Sequence, residues 1–294
     1  MKFLRFFLIF ILALLSFSDI KDDAMNAFQN EDYKTAIPIL KTLAAKNDPD
    51  AQYKLGEASE EGKGVKQDYK EAAVWYEKAI KKNNPWAFYK LGLLYEEGKG
   101  VKQDYKTAAQ YYEKAAKLNI SWAQYKLAVL YESGKGVKQD YATAIQLYEK
   151  AANQDNDWAQ YNLAELYESG KGIERNIPKA AEYYEMAAEQ KNNWAQYKLG
   201  LLYLEGKNGI SKNYEKAEQL LEMAAKQNNP WAEFQLAVIY HTGKIVTRDE
   251  VLALKWLNSI KDQSVINRKE YQQLLTSIKK VMSAEQPKKT KSTN

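Results

Sequence analysis

The sequence predicts an all-α protein: an α–α solenoid, a superhelix of about six helix–loop–helix repeats, opened by an N-terminal half-repeat and closed by a C-terminal capping helix. Three observations carry this. Ala51, Ala87, Ala123, Ala159 and Ala195 follow one another at a constant interval of 36 residues (87 − 51, and so on), and Ala232 comes one residue late because GKNGI at Gly206 is longer. The loop GKGVKQDY recurs at Gly62, Gly98 and Gly134. The stretches around it, such as WAFYKLGLLYEE and KTAAQYYEKAAKLN, are rich in helix formers and space their apolar residues three and four apart.

A glycine-rich loop with lysine is also the material of phosphate-binding loops, whose backbone N–H groups cradle the anion. That pattern needs Ser or Thr after the lysine and an apolar strand before the loop, and this sequence has neither. The loop therefore joins two helices.

The elements follow in order. MKFLRFFLIFILALLSFSD sets Lys2 and Arg5 before an apolar run from Phe6 to Phe17, with Ser16 and Ser18 flanking Phe17. The run is shorter than the roughly 20 residues that span a bilayer, and it matches the core of a secretory signal. The expectation is a cleavable signal peptide over 1–18, cut after Ser18, with an uncleaved anchor or a buried helix as the alternative. It implies a periplasmic or secreted protein with no stable membrane span after cleavage. The repeat solenoid is expected over 19–282. It starts near residue 22 with a half-copy: Asp32, Tyr33 and Ala36 align with Asp68, Tyr69 and Ala72, after a short helix around Ala24 to Phe28. Pro38 lies about six residues into the half-copy's second helix and predicts a kink or a later start.

In each full copy, helix A carries an inward stripe such as Ala87, Leu91, Leu94 and Tyr95. It also carries a small residue (Gly56, Gly92, Ala128, Ala164, Gly200, Ala237) where another helix can come close. The first loop glycine, at Gly62, Gly98, Gly134, Gly170, Gly206 and Gly243, closes helix A. Val65, Val101, Val137, Ile173 and Ile210 turn one apolar side chain per loop inward, and Asp68, Asp104, Asp140, Asn176, Asn213 and Asp249 cap helix B. Helix B buries Ala72, Trp75, Tyr76 and Ala79 or their equivalents. Asn in the turns between copies suits a left-handed backbone. After the sixth copy, Tyr271, Leu274, Leu275, Ile278, Val281 and Met282 form a stripe on a capping helix, which shields the last repeat's apolar face. SAEQPKKTKSTN, 283–294, reads as a basic disordered tail.

The unit WAQYKLAVLYESGKGVKQDYATAIQLYEKAA (Trp122 to Ala152) closely resembles the Sel1-like repeat, a relative of the tetratricopeptide repeat, with its A-x-x-x-L-G-x-x-Y-x-x-G-x-G-V-x-x-D-x-x-x-A pattern. Departures are Ser59 for the helix A tyrosine of the first copy, Ile245 for the second loop glycine of the last, and Lys191 or Asn for the inter-repeat glycine. The resemblance covers most of the chain. It implies a non-enzymatic adaptor or scaffold of the secreted bacterial type that binds a protein or peptide partner through the concave face of the solenoid. Its alternative is an envelope glycan-binding or weakly hydrolytic factor related to β-lactams or peptidoglycan; a cysteine-rich group of relatives is reported as weakly β-lactam-binding. This chain departs from that group in having no cysteine.

Composition narrows the chemistry. Its 43 basic and 38 acidic side chains are interspersed, for a net charge of +5, unlike the concentrated basic field of nucleic-acid binding, and no nucleic-acid partner is expected. Without cysteine and with one histidine, His241, read as an exposed helix-end residue, no catalytic residue, metal ligand or cofactor is assigned. Neighbouring carboxylates such as Glu96 and Glu97 read as solvated.

Helix A also has a second apolar face: Trp86, Tyr89 and Leu93, recurring as Trp122 with Tyr125, Trp158 with Tyr161, Trp194 with Tyr197 and Trp231 with Phe234. By the resemblance, this ladder lines the groove, edged by Glu96, Glu132 and Glu168, and holds a partner by burying aromatic rings. The competing reading is that each Trp packs against the adjacent repeat. Lys63 with Lys66, Lys99 with Lys102 and Lys135 with Lys138 mark a basic stripe, read as a solvated loop face with attraction to anionic polymers as a second reading.

Overall fold

A computed structural model describes residues 17–206 and 208–289; most of the expected leader, Lys207 and the last five residues lie outside the described residues. Every described element is a helix, and the order is a run of hairpins. α1 (Phe17–Gln29) and α2 (Tyr33–Ala45) come first. Six A–B pairs follow: α3 (Pro49–Glu61) with α4 (Tyr69–Ile80), α5 (Pro85–Glu97) with α6 (Tyr105–Lys117), α7 (Ser121–Ser133) with α8 (Tyr141–Ala152), α9 (Asp157–Ser169) with α10 (Ile177–Glu189), α11 (Asn193–Glu205) with α12 (Tyr214–Lys226), and α13 (Pro230–Thr242) with α14 (Glu250–Ser259). The short α15 (Gln263–Ile266) and the long α16 (Lys269–Lys289) end the chain. Contacts divide it into two compact units, meeting in sequence at Ala151 and Ala152. Within each, a helix packs chiefly on the helix before it and the helix after it, which is the solenoid architecture.

Local chemistry sets each boundary. Asn84 accepts from the Ala87 N–H at 2.9 Å to start α5, with Pro85 at the first helical position, where its missing N–H leaves no bond unmade. Gly98 ends α5 at φ 70°, and the other five A helices close the same way on Gly62, Gly134, Gly170, Gly206 and Gly243. The recurring loop then accounts for its own letters. Gly100 (φ 71°) seats its backbone against the carbonyl carbon of Tyr69, at the start of the preceding copy's B helix, so close that a Cβ there would overlap it. Val101 is half-buried. The Gln103 side chain donates to the Glu96 carbonyl at 2.8 Å, taking up one of the acceptors a helix end leaves open. Asp104 caps α6 by accepting from the N–H groups of Lys106 and Thr107 at 2.9 and 3.3 Å.

Tyr76, Tyr112 and Tyr148 are fully buried in the first unit and Tyr184 in the second, each between alanines of its own B helix such as Ala108 and Ala115. The small helix A position is what admits them: Gly56 and Gly92 lie flat against the rings of Tyr76 and Tyr112.

Four expectations change. The N-terminal half-copy is a complete hairpin, because α1 runs from Phe17 and buries Ala24 and Phe28 against α2. α2 starts at Tyr33 and encloses Pro38 rather than starting after it: Asp32 caps it by accepting from the Thr35 N–H at 3.2 Å, and Pro38 faces outward while Ala36, Ile37 and Leu40 are buried. Between copies, Asn83, Asn119, Asp155 and Asn228 take the left-handed backbone (φ 57–64°), but so does Lys191 (φ 68°), where a side chain of that size costs about 1–2 kcal/mol. Finally, α16 continues past Met282 to Lys289, with Tyr271 and Ile278 buried against the sixth copy as a cap requires.

Candidate functional site

The aromatic ladder is built from the A helices outward. In the first unit Trp86 and Trp122 stand 43% and 37% exposed; in the second, Trp158 is 36% exposed, while Trp194 and Trp231 are half-buried. Each exposed indole meets, edge-on, the tyrosine one helical turn later: Trp86 with Tyr89 at 6.2 Å between ring centres, Trp122 with Tyr125 at 6.1 Å, Trp158 with Tyr161 at 6.0 Å. Those tyrosines lean in turn on the core tyrosines of their own B helices, Tyr89 on Tyr112 at 6.0 Å, Tyr125 on Tyr148 at 6.1 Å and Tyr161 on Tyr184 at 5.8 Å. The ladder is thus layered, with a core tyrosine, a supporting tyrosine and an outward tryptophan. Burial, with the Glu96 carboxylate second, pushes the Tyr89 phenol up to about 12, so it stays a neutral donor. Leu93 is half-buried against the same cluster. The last rung is covered: Trp231 carries the Arg268 guanidinium over its face at 4.4 Å, and with Tyr197, Phe234 and Tyr271 it lines a cleft of about 230 Å³.

The three carboxylates expected to edge this face are engaged within the array. Glu96 accepts from the Tyr112 hydroxyl and from Lys126 Nζ of the next copy at 3.1 Å. Glu132 accepts from the Tyr148 hydroxyl at 2.7 Å, and Glu168 from the Tyr184 hydroxyl at 2.6 Å and Lys198 Nζ at 3.2 Å. Each therefore ties helix A to its own helix B, and Glu96 and Glu168 also tie one copy to the next. The sequence reading missed these links, although the partners recur at fixed separations of 16 and 30 residues. The first loop lysines are likewise held, Lys63 by Glu61 and Lys99 by Glu97, both at 2.7 Å.

The Sel1 repeat model matches residues 49–84, 87–120, 123–156, 159–192, 195–229 and 232–264. The chain belongs to the Sel1 repeat family. Among solved structures it is similar to a Sel1 repeat protein from Oxalobacter formigenes (34% identity, TM-score 0.76, 81% of this chain and 97% of that one). It is also similar to c5321, a protective antigen present in uropathogenic Escherichia coli strains (28% identity, TM-score 0.77, 90% of this chain). Of that antigen's length the match spans 61%. No curated protein matches the chain. Sel1 repeat proteins commonly serve as protein-interaction scaffolds.

In this Sel1 array the only histidine is not an exposed helix-end residue. His241, with 15% of its side chain exposed, lies between Glu250 Oε2, 2.7 Å from Nδ1, and Ser277 Oγ, 3.0 Å from Nε2. Arg248 donates to the other oxygen of Glu250. Serine, imidazole and carboxylate stand in the order of a hydrolase relay. However, Ser277 sits inside α16, whose backbone N–H groups are used along the helix, so its neighbouring amides are not free to hold a developing oxyanion. The trio works as a clasp that fastens the Sel1 cap to the sixth repeat. Among the described residues no helix is long and apolar enough to cross a membrane, and no group of His, Cys, Asp or Glu is arranged to hold a metal ion.

Proposed function

We propose that this chain is a non-enzymatic scaffold, exported to the cell envelope or beyond, that binds a partner protein through the outward tryptophans of its A helices. The observation that carries the reading is the layered ladder: Trp86, Trp122 and Trp158 remain exposed although each stands on a packed tyrosine that could have been the outermost layer. A rigid, preoriented indole in water is what interface anchors require. With Glu96, Glu132 and Glu168 engaged inside the array, recognition rests on the rings rather than on flanking charge. Export is supported by the basic and apolar first residues and by the description of the Escherichia coli relative as a protective antigen, which suits a protein exposed outside the cytoplasm.

The test is capture from envelope and extracellular fractions by the full chain and by the Trp122→Ala/Trp158→Ala variant, with circular dichroism run on both. Expected is a stoichiometric protein held by the parent and lost by a variant that keeps its helix content, each indole being worth about tenfold or more in affinity. A variant that unfolds assigns the indoles to packing, and retention of glycan in place of protein assigns them to stacking on sugar rings. Either result overturns the scaffold reading.

A further inference from the structure

The second copy breaks a pattern that its neighbours keep. Gln52, Gln124, Gln160 and Gln196, each the fourth residue of its A helix, are buried and donate to a carbonyl of the preceding B helix, as Gln160 does to Ala152 and Gln196 to Ala188, both at 3.2 Å. In the fourth and fifth copies the residue just beyond helix B closes over that glutamine, Gln190 donating to Gln160 at 2.7 Å and Gln227 to Gln196 at 2.8 Å. In the second copy both places have turned apolar together: Phe88 stands for the first glutamine, and Leu118, 44% exposed, for the second. Two residues on, Ile120 replaces the asparagine that caps the A helices of the second, fourth, fifth and sixth copies, and α7 starts without a side-chain cap. Three polar positions have thus been exchanged for apolar ones, Phe88 and Ile120 buried and Leu118 left in water beside Phe88, and an exposed leucine over a cleft needs a reason.

A cleft of about 470 Å³, within the range of ligand sites, lies at this place. Ile80, Phe88 and Leu118 form its apolar lining and Lys81, Lys114 and Lys117 its rim. Lys114 holds its ammonium 5.5 Å from the centre of the Phe88 ring, and Lys117 shares its charge with Glu113 in an exposed pair that another carboxylate can displace. Asn83, also on the rim, offers an amide donor and acceptor, which a peptide backbone can use and an acyl chain cannot.

We propose that this junction docks an acidic peptide segment carrying one large apolar side chain, which enters between Ile80, Phe88 and Leu118 while carboxylates on either side of it meet Lys81, Lys114 and Lys117. The cleft is lined by none of the ladder's tryptophans, and the proposal stands without them.

The probes are three fluorescein-labelled peptides, Glu-Asp-X-Asp-Glu with X as Leu, Phe or Met, and a control with Ser at X, titrated with the full chain and followed by anisotropy. Expected is binding of at least one of the three but not the control, weakening as salt rises. Affinity falls about tenfold in the Phe88→Gln/Leu118→Gln variant and several-fold in Lys114→Gln. The double substitution recreates the pair that already folds in the fourth and fifth copies, and circular dichroism checks that it does so here. Trp158→Ala, by contrast, leaves the titrations unchanged, which separates this site from the ladder. No preference over the Ser control, or equal binding by the double variant, overturns the proposal. So does binding of phosphatidylglycerol vesicles that is lost in the double variant, since that assigns the cleft to a lipid.

Discussion

Gly92 and Gly100 lie eight positions apart and answer to different constraints. Gly92 is helical and faces a ring: a Cβ there would press on the Tyr112 side chain, which can turn away. The equivalent places in the third and fourth copies are Ala128 and Ala164, in copies whose B helices carry Tyr148 and Tyr184, so the same packing already accommodates the methyl group. Alanine also gains about 1 kcal/mol over glycine in a helix, which offsets the shift of the ring. Gly100 has neither escape, because its φ of 71° disfavours any Cβ by about 1–2 kcal/mol and the atom it would meet is the Tyr69 backbone. Gly92→Ala is therefore expected within about 1 kcal/mol of the parent and Gly100→Ala at least about 2 kcal/mol below it, by urea denaturation of each. The reverse order would sink the account of the loop as a piece seated on the previous repeat.

At the scale of elements, most of the hairpins were legible because each is written by short-range rules: a cap, an apolar stripe, a left-handed glycine, and the same again 36 residues later. What escaped was whatever the copies do not share. His241 stands where other copies carry Glu or Leu, and its partners lie 9 and 36 residues away on elements that the repeat pattern does not describe. The Phe88 and Leu118 exchange escaped because comparing copies for what recurs hides what differs. Pro38 is tolerated inside its helix because the buried Ala36, Ile37 and Leu40 hold the helix in place around it, which local propensity does not register. The clasp can be probed by itself. His241→Ala removes two hydrogen bonds and leaves the buried Glu250 with Arg248 alone, for a loss of about 1–3 kcal/mol. Hydrogen exchange should quicken along α16 while the helices of the first unit keep their protection, and Ser277→Ala should do the same more weakly. An α16 that exchanges no faster without the imidazole would mean that packing of Tyr271 and Ile278 alone holds it.

Over the whole molecule, one chemical group recurs in the core of both units, the buried phenol hydrogen-bonded to a carboxylate. The phenols of Tyr76, Tyr112 and Tyr184 are driven far above their ordinary range, first by burial and then by Glu60, Glu96 and Glu168, which accept their protons in hydrogen bonds. An unfolded chain releases these protons near pH 10, about the ordinary value of a phenol in water, whereas the folded chain keeps them. Above that pH the unfolded state binds fewer protons, so stability is fully present below about pH 10 and falls as pH climbs beyond it. Each such tyrosine contributes a slope of about 1.4 kcal/mol per pH unit, so Tyr76 and Tyr112 together give the first unit about 3, enough to exhaust the stability of a typical domain within a few units. Helix loss and the core phenols' share of the tyrosinate absorbance should then rise together in one steep alkaline transition for each unit. The Tyr76→Phe/Tyr112→Phe variant should flatten the transition of the first unit while leaving the second, which holds Tyr184, as steep as before. The core phenols' share of that absorbance appearing with helix content intact would mean that they reach water without unfolding, and the array would then be far looser than the buried rings imply.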